Sequence, residues 1–255
     1  RHTVVFDAED AGWGCSSRNG GQVSTSVKPS LEALTRRHGL QTAQGILAEG
    51  RQSLDYLGQF VRQEGIDCSF GVVGRFHAAH NEAQFRALAR KVEQRGPGPG
   101  VDAYVLTRAE QKAEIDSEAY HGGVIYTRHA SVDPGRYHQG LLQCVQAAGA
   151  QVVPRCAVQG IERDGARFRL TTARGTTLAR DVVVATNGYT GPLTPWLRRR
   201  VIPIGSYIIA TEEMPREQVA ALIPQNRIVS DTRKVVFYYL TSPARRRSQG
   251  VKGPV

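Results

Sequence analysis

Two glycine-bearing segments hold the side chains best suited to chemistry, and each follows a run of β-branched residues. The first run, Thr3-Val4-Val5-Phe6, ends at Asp7-Ala8 and leads into Gly12-Trp13-Gly14-Cys15-Ser16-Ser17-Arg18-Asn19-Gly20-Gly21. An acid at the carboxyl end of a strand can accept hydrogen bonds from both hydroxyls of a ribose, although alone it reads more simply as a helix cap or turn residue. Glycines let the backbone approach a bound group closely, while hydroxyl, guanidinium and amide groups supply donors to phosphate or ring oxygens. The second run, Asp181-Val182-Val183-Val184, is the most apolar β-run in the sequence and stops at Ala185-Thr186-Asn187-Gly188-Tyr189.

Other chemistries find little support. Cys15, Cys68, Cys144 and Cys156 are far apart and form no C-x-x-C pair, so neither a zinc site nor a disulfide framework is expected. The close histidine pair His77 and His80 reads as a surface turn rather than a pair of ligands, and no metal is expected. The net charge of +10 comes mostly from scattered arginines, including Arg198-Arg199-Arg200 and Arg245-Arg246-Arg247, without a nucleic-acid-binding motif. A solvated surface is the simpler reading. With 255 residues and 40% hydrophobic content the chain can bury a core, and no apolar run is long enough to span a membrane. Cytoplasmic location follows from the cysteine usage as an expectation.

The elements that position these segments are marked by punctuation. Thr3 to Phe6 has the profile of a buried parallel strand. Pro29-Ser30 opens one long helix to Gly65, with Ala43, Ile46, Leu47, Leu54, Leu57 and Val61 along its apolar stripe. Phe70 to Ala78 reads as one or two strands, Asn81 with Gln84 as a second helix start, and Gly96 to Gly100 as a loop. Thr107 with Glu110 caps a short helix, Val124 to Tyr126 is a strand, and Asp133-Pro134 starts a helix ending near Gly149. Strands at Gln151 to Pro154, Ala157 to Glu162, Arg167 to Thr172 and Thr177 to Ala185 form a β-meander turning at Asp164-Gly165 and Arg174-Gly175. Further strands at Val201 to Thr211 and Val235 to Leu240 flank a helix at Arg216 to Leu222.

The segment from Gly12 to Gly21 resembles the G-W-G-A-S-x-R-N-G-G signature of FAD-dependent oxidoreductases of the D-amino-acid oxidase superfamily. Within it, the resemblance is to the branch containing gamma-glutamylputrescine oxidase and other bacterial amine and amino-acid oxidases. The run from Asp181 to Tyr189 looks like that family's strand and A-T-x-G turn beneath the flavin, and Pro203 to Glu212 like its substrate-domain sheet. The resemblance implies FAD, held by Asp7, Ala8, Gly14, Cys15, Ser16, Ser17, Arg18, Asn19, Gly20, Gly21, Val158, Ala185, Thr186, Asn187, Gly188 and Trp196. Val158 would hold the adenine through its backbone, Cys15 stands as a small buried residue, and Trp196 reads first as a packing aromatic. Arg18 and Tyr207 are the residues expected to act at the reacting centre.

The implied fold is α/β, α+β overall: a partial FAD-binding Rossmann-like domain with a β-meander, plus a mixed-sheet substrate domain. Residues 1–66 and 129–198 would form the first, and 67–128 and 199–255 the second. The implied reaction oxidises a C–N bond of an amine or amino acid, with oxygen as acceptor. The family's G-x-G-x-x-G turn and closing glycine-rich segment have no counterpart here, and the tail from Arg245 is basic and turn-rich. An internal fragment is therefore expected, with an exposed edge at Val4 to Phe6, poor solubility, and inactivity through loss of FAD as the alternative. The small-molecule substrate is the expected partner, with neither nucleic acid nor membrane.

Overall fold

A computed structural model of the chain describes residues 2–94, 102–241 and 251–253. The expected loop at Gly96 to Gly100 and the arginine cluster at Arg245 lie outside the described residues. The helices are α1 (Leu31–His38), α2 (Leu40–Gln63), α3 (Glu82–Glu93), α4 (Pro134–Ala147), α5 (Pro195–Arg198) and α6 (Arg216–Leu222). The strands are β1 (Val4–Phe6), β2 (Gln22–Ser24), β3 (Arg75–Ala78), β4 (Ala103–Leu106), β5 (Gly123–Tyr126), β6 (His129–Ser131), β7 (Gln151–Val153), β8 (Val158–Asp164), β9 (Arg167–Thr172), β10 (Gly175–Ala179), β11 (Ile209–Ala210), β12 (Ile228–Asp231), β13 (Tyr238–Thr241) and β14 (Val251–Gly253). They form two compact units, Arg1–Arg18 with Leu141–Ser206, and Asn19–Gly140 with Tyr207–Val255.

In the first unit β1 pairs in parallel with β7, Val5 opposite Val152. Val4 and Val5 are exposed rather than buried, because β7 is the one paired neighbour of β1 among the described residues. The three-stranded antiparallel meander β8-β9-β10 turns at Gly165 and Gly175, both at positive φ. The expected strand at Val182 to Ala185 does not form. No described strand pairs with this run, and Val183 is 88% exposed; apolar, β-branched residues make a strand only where a neighbour completes the ladder.

The second unit is built on a seven-stranded sheet in the order β11-β14-β13-β12-β3-β5-β4, beside the two-stranded pair β2-β6. β14 shows that the tail read as turn-rich contains a strand, paired with β11 and β13. Between Val201 and Ile208 no strand forms, and Ile202, Ile204, Tyr207 and Ile208 are exposed, again for want of a pairing partner. The long expected helix is broken at Gly39, whose φ of 81° lies where glycine is favoured. Caps fall where their residue types require: Ser30 Oγ accepts from Ala33 N, Asn81 Oδ1 from Gln84 N, and Asp133 Oδ1 from Arg136 N. The Thr107–Glu110 box closes as well, on a 3-10 turn at Gln111–Ala113.

Strand alternation gives the sheet two different faces. Phe76, Ala78, Ile125 and Val229 pack with Ile115, Tyr120 and Ile223 on one side. On the other, Val124 packs with Ala79 and with Leu88 of α3. His77 alternates with the core residues of β3, so it is half-buried in the sheet rather than on a surface turn, with Nδ1 3.0 Å from Ser230 Oγ. His80 is likewise tied down, 2.7 Å from Thr232 Oγ1.

Burial, with the Arg75 charge nearby, pushes the His77 and His129 rings down to about 4 from the ordinary 6.5; Lys91 opposes and Asp231 favours protonation of His77. Both folded values lie below the unfolded one, so these rings contribute stability above about pH 6.5 and lose it as pH falls towards 4, by about 3 kcal/mol each. Urea unfolding between pH 7 and pH 4.5 should show this slope, and the double variant His77→Gln, His129→Gln should flatten it. An unchanged slope in that variant would count against the two rings as its origin.

Candidate cofactor site

The end of β1 is laced to the chain leaving β7. Asp7 N donates to Val153 O at 3.1 Å, Cys156 N to Asp7 O at 2.7 Å, and Arg155 N to Glu9 O at 3.0 Å. The Arg155 guanidinium grips both oxygens of Asp10 at 2.8 and 2.7 Å, an exposed fork that fixes the loop's direction more than its stability. This lacing sets Asp7 two residues from Val158, where a bulge between Val158 and Gly160 opens the β8 ladder. The half-buried Asp7 carboxylate accepts from Glu9 N through Oδ1 at 3.0 Å, and its second oxygen meets no donor among the described residues.

A second knot joins the glycine segment to the turn after Val184. Tyr189 lies against Gly14, where a Cβ would sit 3.2 Å from Cε2, and its hydroxyl accepts from the Cys15 thiol at 3.5 Å. Its ring meets Trp13 at 6.1 Å between centroids, and the Arg18 guanidinium covers the other aromatic, 4.7 Å from the Trp13 centroid. Ser17 Oγ donates to Gly12 O, and Thr190 Oγ1 to Asn187 O at 2.7 Å, holding the two loops in shape. At Gly188 an added Cβ would meet nothing within 4 Å, so the backbone there faces open space.

The remaining expected residues are placed as follows. Ala8, Ser16, Ala185, Thr186 and Asn187 are exposed in the first unit, Thr186 Oγ1 lying 2.8 Å from Thr190 Oγ1. Cys15 is exposed, not buried, because the glycine segment runs over the surface to reach Tyr189. Trp196 is also exposed rather than packed, its ring covered by Arg200 at 3.8 Å. Asn19, Gly20, Gly21 and Tyr207 belong to the second unit. Asn19 Oδ1 accepts from Gly21 N at 2.9 Å, and Gly21, at φ +63°, abuts Val132 O so closely that no side chain fits.

Trp13, Arg155 and Tyr189 escaped the expected site, although Trp13 and Tyr189 stood inside the quoted segments; their pairing links positions 176 residues apart (189 − 13) and leaves no local signal. Chemically, one free carboxylate oxygen, a fixed cation, an opened backbone and an uncrowded glycine turn fit a ribose-bearing, anionic cofactor such as FAD.

Residues 1–251 match the family model described as DAO, FAD dependent oxidoreductase, and the chain belongs to this family. It is 27% identical over 237 residues to gamma-glutamylputrescine oxidoreductase of Escherichia coli, covering 92% of this chain and 55% of that protein. With a probable oxidoreductase of Rhizobium meliloti it shares 28% over 241 residues, 94% and 55% of the two. The chain thus spans about half the length of these curated relatives. The solved structure of glycine oxidase from Bacillus cereus superposes with a TM-score of 0.73 at 18% identity, over 100% of this chain and 66% of that one, a likeness of fold. Among the described residues no helix is long and apolar enough to cross a membrane.

The knot at Tyr189 can be tested by a double-mutant cycle on Trp13→Ala and Tyr189→Ala in urea unfolding. The expected coupling energy is about 0.5 to 1.5 kcal/mol, and additive losses would deny that the two loops support each other.

Proposed function

We propose that the chain serves the FAD-dependent oxidation of a C–N bond in a primary or secondary amine or an amino acid. The overall conversion takes the amine, water and oxygen to a carbonyl product, the released amine or ammonia, and hydrogen peroxide. Bound FAD supplies the two-electron oxidation. Asp7 accepts from the ribose hydroxyls, the Val158 backbone holds the adenine, and the turn from Ala185 to Gly188 gives the cofactor room. The Arg18 guanidinium stabilises negative charge at the reacting centre. Tyr207 faces the substrate, and Trp196 borders the cofactor. Residues 1–66 and 129–198 carry FAD in this reading, 67–128 and 199–255 the substrate, and the protein works in the cytoplasm without nucleic acid.

The observation that carries the reading is the contact of Tyr189 with Gly14, Cys15 and Trp13, which brings the two motif-bearing loops together. A second reading, a chain that retains no FAD and is inactive, is favoured by the exposure of Val183 and of the turn after it.

An absorbance spectrum between ~300 and ~550 nm, taken before and after adding FAD and removing the excess, separates the two. Retained and perturbed flavin bands, weakened at least tenfold in affinity by Asp7→Ala, are expected; peroxide release on addition of amines then identifies the substrate. A colourless protein leaves the second reading standing.

A further inference from the structure

The knot between the two motif-bearing loops joins three side chains that can each give up an electron. Trp13 and Tyr189 meet at 6.1 Å between ring centroids, and the Tyr189 hydroxyl accepts from the Cys15 thiol at 3.5 Å. All three lie in the first unit, so the series indole, phenol, thiol is internal to one compact body. It ends at the surface. Trp13 and Tyr189 are half-exposed or more, and Cys15 is the one exposed thiol of the four in the chain.

Packing does not ask for a thiol at this position. The signature that the segment resembles has alanine where Cys15 stands, and an exposed side chain fills no gap in a core. For such a cysteine, reactivity is the property that distinguishes it from alanine. The neighbouring charge gives the series a direction. The Arg18 guanidinium lies 4.7 Å from the Trp13 centroid, attracted by the electron-rich face of the ring. Removing an electron from that ring turns attraction into repulsion, so an oxidised Trp13 is disfavoured there and draws an electron from Tyr189. The hydrogen bond from Cys15 lifts the Tyr189 phenol above its ordinary value, with Arg18 opposing, so the hydroxyl still holds its proton at neutral pH. Once oxidised and deprotonated, Tyr189 is a neutral radical that Arg18 does not repel.

We propose that Trp13, Tyr189 and Cys15 form a one-electron relay that carries oxidising equivalents from the two loops to the Cys15 thiol, making Cys15 an oxidation site. Trp13 first gives one electron to a one-electron oxidant, of which a photoexcited flavin is an example. Tyr189 then gives an electron to Trp13 and its hydroxyl proton to water, which restores the indole. Finally the Cys15 S–H bond breaks, the hydrogen atom passes along the existing hydrogen bond to the Tyr189 oxygen, and the unpaired electron is left on sulfur. Two such sulfurs from separate copies couple to a disulfide, which thiols can reduce again. That FAD is the natural source of the oxidant rests on the oxidase reading; the relay itself does not.

The test uses the full chain without flavin, in a Trp196→Phe background that leaves Trp13 as the one tryptophan. Azide radicals made by pulse radiolysis oxidise the indole, and the tryptophan and tyrosine radical bands are followed in time. The indole band should decay into the tyrosyl band at a rate independent of protein concentration. Tyr189→Phe, which keeps a ring against Trp13 and Gly14, should slow that decay at least tenfold and lower the yield of Cys15 disulfide, read by mass spectrometry, to a similar degree. Hydrogen peroxide attacks an exposed thiol directly and should oxidise Cys15 equally with and without the Tyr189 hydroxyl. In Cys15→Ala, which restores the residue of the signature, the tyrosyl band should last at least tenfold longer; this variant keeps the relay testable if Tyr189→Phe fails to fold. An indole decay unchanged by Tyr189→Phe, or a tyrosyl lifetime unchanged by Cys15→Ala, overturns the relay. So does a disulfide yield that falls no further under radicals than under peroxide, which would make Cys15 an accessible thiol and nothing more. Because the radicals are made without flavin, failure of the relay and failure of the oxidase reading, which is read by flavin absorbance, remain distinguishable.

Discussion

A β-strand must send successive side chains to opposite faces, and much of the second unit depends on how β3 uses that constraint. Phe76 and Ala78 face the main core, fully buried against β5 and β12, while Arg75 and His77 are forced to the other side. A one-residue slip of β3 would exchange a phenylalanine for an arginine in the core, so the register Phe76↔Ile125 and Phe76↔Val229 is strongly determined. The core therefore fixes where the polar pair must lie. Gly123 tightens the arrangement further, since a Cβ there would fall 2.3 Å from His77 O.

Features whose physics is local were legible in the sequence. Ser30, Asn81 and Asp133 cap the helices they precede because a short side chain can satisfy an N–H two or three residues on, whatever lies elsewhere. The meander's turns at Gly165 and Gly175 follow from backbone angles that glycine adopts without strain. The runs at Val182 and Val201 share the composition of strands but not their state. A strand's stability is a property of pairs, and composition carries no information on whether a partner strand is in place. The break at Gly39 belongs with these, since an amphipathic stripe does not show whether the backbone that carries it runs unbroken.

The candidate site divides along the same line. Its residue types and spacing, from Asp7 to Gly21 and from Ala185 to Gly188, could be read directly because motif chemistry is written in consecutive residues. The contacts that hold these segments together could not: Tyr189 with Trp13, and Arg155 with Asp10, are long-range pairings of residues common on any surface. Cys15 illustrates the cost of reading burial from residue type. Cysteine is among the most buried residues on average, yet here the geometry of a surface loop and a hydroxyl acceptor outweigh that tendency.

Retention of a cofactor and folding of the first unit are aspects of one equilibrium. Val183, Ile202 and Ile204 are more than four-fifths exposed, and covering such side chains is worth about 1.5 to 3 kcal/mol each. Three of them together approach the whole stability of a typical domain, about 5 to 15 kcal/mol. A ligand that binds the folded unit alone adds stability in proportion to the logarithm of its concentration over its dissociation constant. Under the proposed reading, in which Asp7 and the knot at Tyr189 orient the cofactor, these groups act on stability as well as on binding. Substitution then has three separable consequences: a direct loss of affinity, a loss of ligand-derived stability that vanishes when the ligand is absent, and, at the knot, a loss of the Trp13–Tyr189 contact that persists without it. That separation lets cofactor chemistry be told apart from architecture in a chain where both depend on the same two loops.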